Sequence, residues 1–167
     1  MTVTIRPAAA SVPGDIEAIS AIHNQGITDR IATLDTTLRA PDETRAWLGE
    51  RGPRHPVIVA EVDGVVVGWA SLNRFNPRAA YNNVADFSVY VERDWRGRGI
   101  GRQLLEHLIA LARTIGFHKM VLAAMAYNSA GLALYTRTGF SHVGIYHEQG
   151  QLDGQWVDVA IMEKILA

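Results

Sequence analysis

The chain of 167 residues is 48% apolar and 20% charged, with sixteen basic residues against seventeen acidic ones and a formal charge of −1. These proportions predict one domain, residues 1–167, with a sizeable core, and they exclude a globally basic protein built for nucleic acid or an anionic membrane, so any anion site must be local. The absence of cysteine removes disulfides, thiolate metal sites and a cysteine nucleophile; the start MTVTIRPAAA lacks the apolar run of a signal peptide, no stretch approaches the roughly 18 apolar residues of a membrane span, and a cytoplasmic protein is the expectation.

Val3–Arg6 alternates as a short strand that stops at Pro7. Pro13 and Asp15 open a helix with Ile16, Ile19 and Ile22 on one face. Gly26–Ala40 has no clear period and reads as a loop with a turn of helix. Asp42 is the expected N-cap of a short helix through Arg51, ended by Gly52 and Pro53. Val57–Val62 and Val65–Leu72 are β-rich runs joined by Asp63-Gly64, a strong hairpin signal. Asn73–Asn83 is polar and irregular. Val84–Val91 is again strand, with Asp86, Ser88 and Tyr90 on one side and Phe87, Val89 and Val91 on the other. Ile100, Leu104, Leu108, Leu111, Ala112 and Ile115 make a helical stripe ending at Gly116. Met120–Ala124 is a strand, Ser129–Thr138 a helix closed by Gly139, and Phe140–Tyr146 and Trp156–Ile165 are strands around Asp153-Gly154. The order β-α-α-β-β-β-α-β-α-β-β mixes hairpins with crossovers and predicts an α+β or α/β domain on a mixed, mostly antiparallel sheet.

Between the fourth strand and the long helix stands RGRGIG, Arg96–Gly101. Gly97, Gly99 and Gly101 let backbone amides converge on an oxygen-rich anion, the following helix adds unpaired amides and the positive end of its dipole, and Arg96, Arg98 and Arg102 supply local charge. The spacing fits neither the dinucleotide G-x-G-x-x-G nor G-x-x-x-x-G-K-[ST]. A merely tight strand-to-helix turn is the other reading of these glycines alone.

R-G-x-G-x-G after an S-V-Y-V strand resembles the acetyl-CoA-binding motif of the GCN5-related N-acetyltransferase (GNAT) superfamily, and the resemblance runs from TIRPA to WVDVAIMEKIL. Within it, PRAAYNNVADFSVYV and YNSAGLALYTRTGF are similar to the phosphinothricin and methionine sulfoximine acetyltransferase group. The resemblance implies a three-layer sandwich whose sheet splays between its fourth and fifth strands, with the pantetheine arm in the wedge. It places main-chain groups of Val89 and Val91 on the acetyl and pantetheine portions, and Arg96, Gly97, Arg98, Gly99, Gly101 and Arg102 around the pyrophosphate. Asn128 matches the asparagine that contacts pantetheine, and it also suits an N-cap.

Acetyl transfer from a thioester to an amine needs removal of a proton from the ammonium, a donor for the carbonyl oxygen and neutralisation of the departing thiolate, with no metal among them. Asp86 aligns with the group's glutamate and is the candidate base; one methylene shorter, it favours a water relay over direct contact. The other reading is a strand carboxylate paired with an arginine. By resemblance the Val89 amide is the oxyanion donor and Tyr135 the acid for the thiolate, although a phenol there also suits an amphipathic core. Arg78 and Tyr81 match R-x-A-Y of the related enzymes, where such groups hold an acceptor's carboxylate or phosphinate; Arg74 is a second candidate, and Leu34 and Asp35 border the same cleft. The six histidines show no metal-ligand spacing, and no G-x-S-x-G supports hydrolysis.

The expectation is thus an acetyl-CoA-dependent N-acetyltransferase for a small amino-acid-like acceptor of the phosphinothricin or methionine sulfoximine type, working as a homodimer as related enzymes commonly do. Transfer to another small amine or to a protein N-terminus, and a non-catalytic acyl-CoA sensor, stay open, as does nucleotide binding at the same turn.

Overall fold

Asp63 and Gly64 both carry positive φ, 50° and 78°, the twist a two-residue hairpin demands. Asp153 and Gly154 repeat the device at 52° and 76°. These turns join four of the seven strands in the computed structural model, which describes residues 1–167. The elements are β1 (Thr4–Pro7), α1 (Asp15–Thr28), α2 (Pro41–Gly49), β2 (Val57–Val62), β3 (Val65–Arg74), β4 (Val84–Val91), α3 (Ile100–Ile115), β5 (Lys119–Met125), α4 (Ser129–Arg137), β6 (Ser141–Leu152) and β7 (Gln155–Ile165). One sheet runs β1-β2-β3-β4-β5-β7-β6. Every neighbouring pair is antiparallel except β4 and β5, so the expected mixed, mostly antiparallel sheet is what forms.

Helices cover both faces. From one side α3 packs Ile100, Leu104, Leu105, Leu108 and Ala112 against sheet residues such as Leu72, Phe87, Met120 and Met162, with Leu132, Leu134 and Tyr135 of α4 bordering the same cluster. On the other face Ile19 and Ile22 of α1 meet Val57, Val59 and Trp69, flanked by Trp47 and Leu48 of α2. The helical stripe read in the sequence is therefore the core-facing side of α3, with Leu111 and Ile115 only partly buried at its border.

Three local expectations change. Asp42 does not cap α2: Ala40 is the N-cap and Pro41 occupies the first turn, because a residue with fixed φ and no N–H suits that position. Asp42 and Glu43 instead put negative charge in the first turn, near the positive dipole end. α1 continues through Gly26 to Thr28, where a loop was expected. β6 runs past Tyr146 to Leu152, its register broken at His142/Gly144 and Tyr146/Gly150, and Glu148 has φ 50°. Such bulges destroy the alternation that marks a strand.

The feature that positions the site is the β4–β5 junction. These strands pair only at Val84↔Lys119 and Ala85↔Met120. Beyond Ala85 they diverge. The Glu92 amide donates to the Val67 carbonyl at 2.8 Å, which sets the phase of the β3–β4 ladder; Phe87, Val89 and Val91 consequently turn their backbone groups toward β5. The bonds Ala126 N–H to Asp158 (2.9 Å) and Leu166 N–H to His118 (2.8 Å) set the phase of β5 in the same way, so Val121, Ala123 and Met125 face β4. Two rows of backbone groups thus look at each other across a gap.

Candidate active site

The gap widens into a cleft of about 640 Å³ lined by Asp86–Val91 of β4, Leu122–Met125 of β5, the glycine-rich turn, and α4. At one end Gly97 and Gly99 take φ 78° and 81°, a left-handed conformation that costs other residues roughly 1–2 kcal/mol. Gly99 caps α3 without any side-chain bond. The amides of Ile100, Gly101 and Arg102 accordingly have no capping partner, and the first bond closed is Gln103 N–H to the Gly99 carbonyl at 3.2 Å. Unpaired amides on a 16-residue helix, with its dipole behind them, are a ready anion site.

The arginines of this turn contribute less free charge than their number suggests. Arg96 lines the cleft but binds Asp29 at 2.8 Å and donates from Nε to the Val91 carbonyl at 3.3 Å. Arg102, also in the lining, pairs with Glu106 one turn along at 2.7 Å. Arg98 turns out of the cleft and lies over the Trp95 ring, 4.7 Å from its centroid. Asp29 is held from the other side by Arg93 at 2.8 Å, and hydrogen bonds from Arg93 and then Arg96 keep its carboxyl below the ordinary range. This places the backbone amides, more than the side chains, in charge of the anion site.

Asn128 joins the cleft from the start of α4. Its Oδ1 accepts the Gly131 amide at 3.1 Å, which makes it the N-cap, while Nδ2 makes no bond within the chain. A Cβ on Gly131 would sit 2.6 Å from that Nδ2, so only glycine there leaves the cap its rotamer.

Asp86 stands on β4 with no ion-pair partner and no side-chain hydrogen bond. Burial raises its pKa to about 6, the Phe87 amide opposing this only weakly. The reading of Asp86 as an arginine-paired strand carboxylate is therefore not what the fold displays. Tyr135 lines the same cleft and packs edge-on against Phe87 with centroids 5.8 Å apart. Its pKa is raised, first by burial and then by the Asp86 charge, so the two groups sense each other across the cleft.

Not every candidate meets here. Arg74 and Tyr81 line a separate hollow of about 210 Å³ with Arg54, His55, Asn82 and Val84. Tyr81 rests edgewise on Phe75 at 5.6 Å. Arg78 is exposed and lines neither cavity. Leu34 packs instead on the cluster Met125, Leu152 and Val157.

Conversely, several lining residues carried no readable signal, among them Trp95, Ala123, Leu134 and Arg137. Tyr90 is the most consequential. It stacks on Trp69 with centroids 4.9 Å apart and its ring closes to 2.9 Å of a Cβ built on Gly26. Burial, then the charge of Asp35, pushes its phenol up to about 12. A glycine inside a helix was the available sign of that close approach.

Comparison with known proteins agrees with this geometry. Residues 24–140 match the acetyltransferase (GNAT) family model. The L-methionine sulfoximine/L-methionine sulfone acetyltransferase of Pseudomonas aeruginosa is 34% identical over 165 residues, covering 98% of this chain and 94% of its own. The ribosomal-protein-alanine N-acetyltransferase of Brucella melitensis superposes with a TM-score of 0.92 at 37% identity, over 97% of this chain and 99% of that one. A GNAT-superfamily phosphinothricin acetyltransferase of Sinorhizobium meliloti, solved in complex with acetyl-CoA, gives a TM-score of 0.93 at 29% identity, over 100% and 90% of the two chains. The chain belongs to the acetyltransferase (GNAT) family.

Proposed function

We propose that this protein transfers the acetyl group of acetyl-CoA to the amino group of a small amino-acid-like acceptor of the methionine sulfoximine or phosphinothricin type. The observation that carries the reading is a half-buried carboxylate without an ion partner, Asp86, in a cleft that also takes in a cradle of unpaired amides. In this reading the amides of Ile100, Gly101 and Arg102, with Gly97, Gly99, Arg96 and Arg102, hold the pyrophosphate. The outward-facing backbone groups of Val89 and Val91 pair with the pantetheine arm as a further strand would, and Asn128 Nδ2 donates to it. Arg98 takes part only by leaving Trp95.

The chemistry follows in order. Asp86, directly or through a water, takes a proton from the acceptor ammonium; a carboxylate poised near neutrality is better matched to that task than one with an ordinary pKa. The freed nitrogen attacks the thioester carbon, and the oxygen gains charge against the Val89 amide. The C–S bond breaks, the Tyr135 phenol protonates the departing thiolate, and the proton that the new amide nitrogen sheds restores the phenol, directly or through water. Arg74 and Tyr81 in their separate hollow and the exposed Arg78 attract an anionic acceptor to this side of the protein. The working unit is a cytoplasmic homodimer, a role for which the exposed Val143, Ile145 and Tyr146 of edge strand β6 and Trp156 of β7 provide apolar surface.

A second reading, acetylation of a protein N-terminus, is favoured by the name and identity of the Brucella relative. Thiol release from acetyl-CoA against amino acids, methionine sulfoximine, phosphinothricin and alanine-starting peptides separates the two. Activity confined to peptides would replace the small-acceptor reading. CoA binding without turnover of any amine would leave a sensor.

A further inference from the structure

Phe87 is the aromatic side chain of β4 that turns toward α3 and α4. Alternation along the strand sends Tyr90 to the opposite face, where it stacks on Trp69, and sends Phe87 into the core under α3. Phe87 is only 7% exposed, yet it lines the cleft, so the core itself forms the cleft wall at this point. Its ring meets Tyr135 at 5.8 Å and Phe140 at 5.4 Å between centroids, and those two rings meet each other at 6.3 Å. The contacts are tilted or edge-on, as aromatic pairs prefer, and Phe87 cannot swing aside without displacing both neighbours.

The position of this wall along the cleft gives it a consequence. The amide cradle lies after the end of β4, and the free backbone edge of β4 runs back from it through Val91, Val89 and Phe87. At Ala85 that edge ends, because Ala85 pairs with Met120 and Val84 with Lys119. Ala85, Met120 and Val121 do not line the cleft, which stops at Asp86, Phe87 and Leu122. A chain anchored at the cradle and laid along the edge therefore meets the floor two residues past Val89, about 7 Å of strand. With the thioester oxygen on the Val89 amide, the acyl group is the part that enters this last stretch.

A longer acyl tail has three directions open to it from there. Along the strand it meets the closed β4–β5 ladder. Toward α3 and α4 it meets the rings of Phe87 and Tyr135, with Phe140 behind them. Toward α1 it passes Asp86, where an apolar tail would strip water from an unpartnered carboxylate and occupy the place of the acceptor amine.

We infer that Phe87, backed by Tyr135 and Phe140, is the specificity-determining residue for the acyl donor, admitting acetyl and propionyl groups and rejecting butyryl and longer ones. This rests on the acetyltransfer reading for the direction in which the thioester lies, and adds to it a limit on what can be transferred.

The test is calorimetric binding of CoA and of acetyl-, propionyl-, butyryl- and hexanoyl-CoA to the wild type, Phe87→Ala and Phe87→Leu. Each affinity is divided by that for CoA on the same variant, and thiol release with methionine sulfoximine follows. In the wild type acetyl and propionyl should bind alike, and butyryl roughly 10- to 200-fold more weakly, the range that one methylene too many costs in an apolar pocket. Phe87→Ala should remove most of that gap for butyryl and hexanoyl, with Phe87→Leu between. Loss by one common factor for every thioester would assign Phe87 to packing alone and overturn the inference, as would a wild type indifferent to chain length. Should Phe87→Ala fail to fold, Phe87→Leu and the wild-type series decide. Length-dependent binding without turnover of methionine sulfoximine supports the acyl limit and counts against the small-acceptor reading, so the two failures are distinct.

Discussion

Asn73 and Asp86 face each other across β3 and β4, yet the Asn73 amide donates to Ser88 and the Asp86 carboxylate has no side-chain partner. Burial is thus not offset by a hydrogen bond from the facing amide. The carboxylate therefore keeps a pKa of about 6 and stays available for an incoming proton.

From this follows a pH profile. If Asp86 is the base, kcat/KM rises with pH through about 6 and levels off once the carboxylate is ionised. In Asp86→Asn that acid limb disappears and turnover falls by roughly 10²- to 10⁴-fold. Steady-state rates from pH 4.5 to 8.5 check it; an unshifted limb in the variant would assign the titration to another group.

Stability has the opposite dependence on the same residue. A carboxyl whose pKa is raised from 3.8 to about 6 binds its proton more tightly in the fold. Its contribution is present at low pH and is lost as pH rises through about 6. Asp86→Asn then stabilises the protein at pH 8 by up to about 3 kcal/mol. His23 works in reverse. Buried beside Trp69 and Tyr90, it is depressed from 6.5 to about 4, chiefly by desolvation. Stability from keeping it neutral is present above its unfolded value and is lost as pH falls toward 4. Between pH 4 and 6 the two slopes oppose. Denaturant melts should show a nearly flat wild type and slopes of opposite sign in Asp86→Asn and His23→Phe.

Tyr135→Phe keeps the ring against Phe87 and Phe140 and removes only the hydroxyl. The melting temperature should move by no more than a degree or two while kcat drops about 10- to 100-fold. Unchanged kcat would return Tyr135 to a packing role.

Gly99→Ala puts a side chain at φ 81°, with nothing within 4 Å for it to strike. The cost is conformational, about 1–2 kcal/mol, and the shifted amides should raise the KM for acetyl-CoA by roughly tenfold or more. Asn128→Ala loses a cap worth about 1 kcal/mol and should weaken acetyl-CoA in the same assay. Calorimetry with CoA alone separates binding from turnover.

The site was legible wherever a local pattern has one physical cause. Asp63-Gly64 and Asp153-Gly154 declared hairpins because few residues accept positive φ. Gly97 and Gly99 declared a tight strand-to-helix turn for the same reason, and Asn128 its cap. What escaped depends on partners far along the chain. Arg96 looks free in sequence but meets Asp29, 67 residues away. The motif groups Arg78 and Tyr81 with the cleft, and Arg74 beside them, whereas the end of β3 and the loop before β4 carry them to another hollow or into solvent. Motifs record residue order, and a loop's direction is set by packing that order does not contain.

The two rungs Val84↔Lys119 and Ala85↔Met120 have a mechanical meaning. With the bond from His118 N–H to the Asn83 carbonyl at 2.9 Å, they lace the four-stranded half β1–β4 to the three-stranded half β5–β7 within the sheet. A ligand lying beyond them completes a seam as well as filling a cavity. Beyond them the facing backbone edges are unpaired although the core under α3 spans both halves, and the amides of Phe87, Val89 and Ala123 should exchange quickly with solvent. If the thioester pairs with that edge as proposed, it extends the stitching, and each catalytic cycle would fasten and loosen the seam in turn.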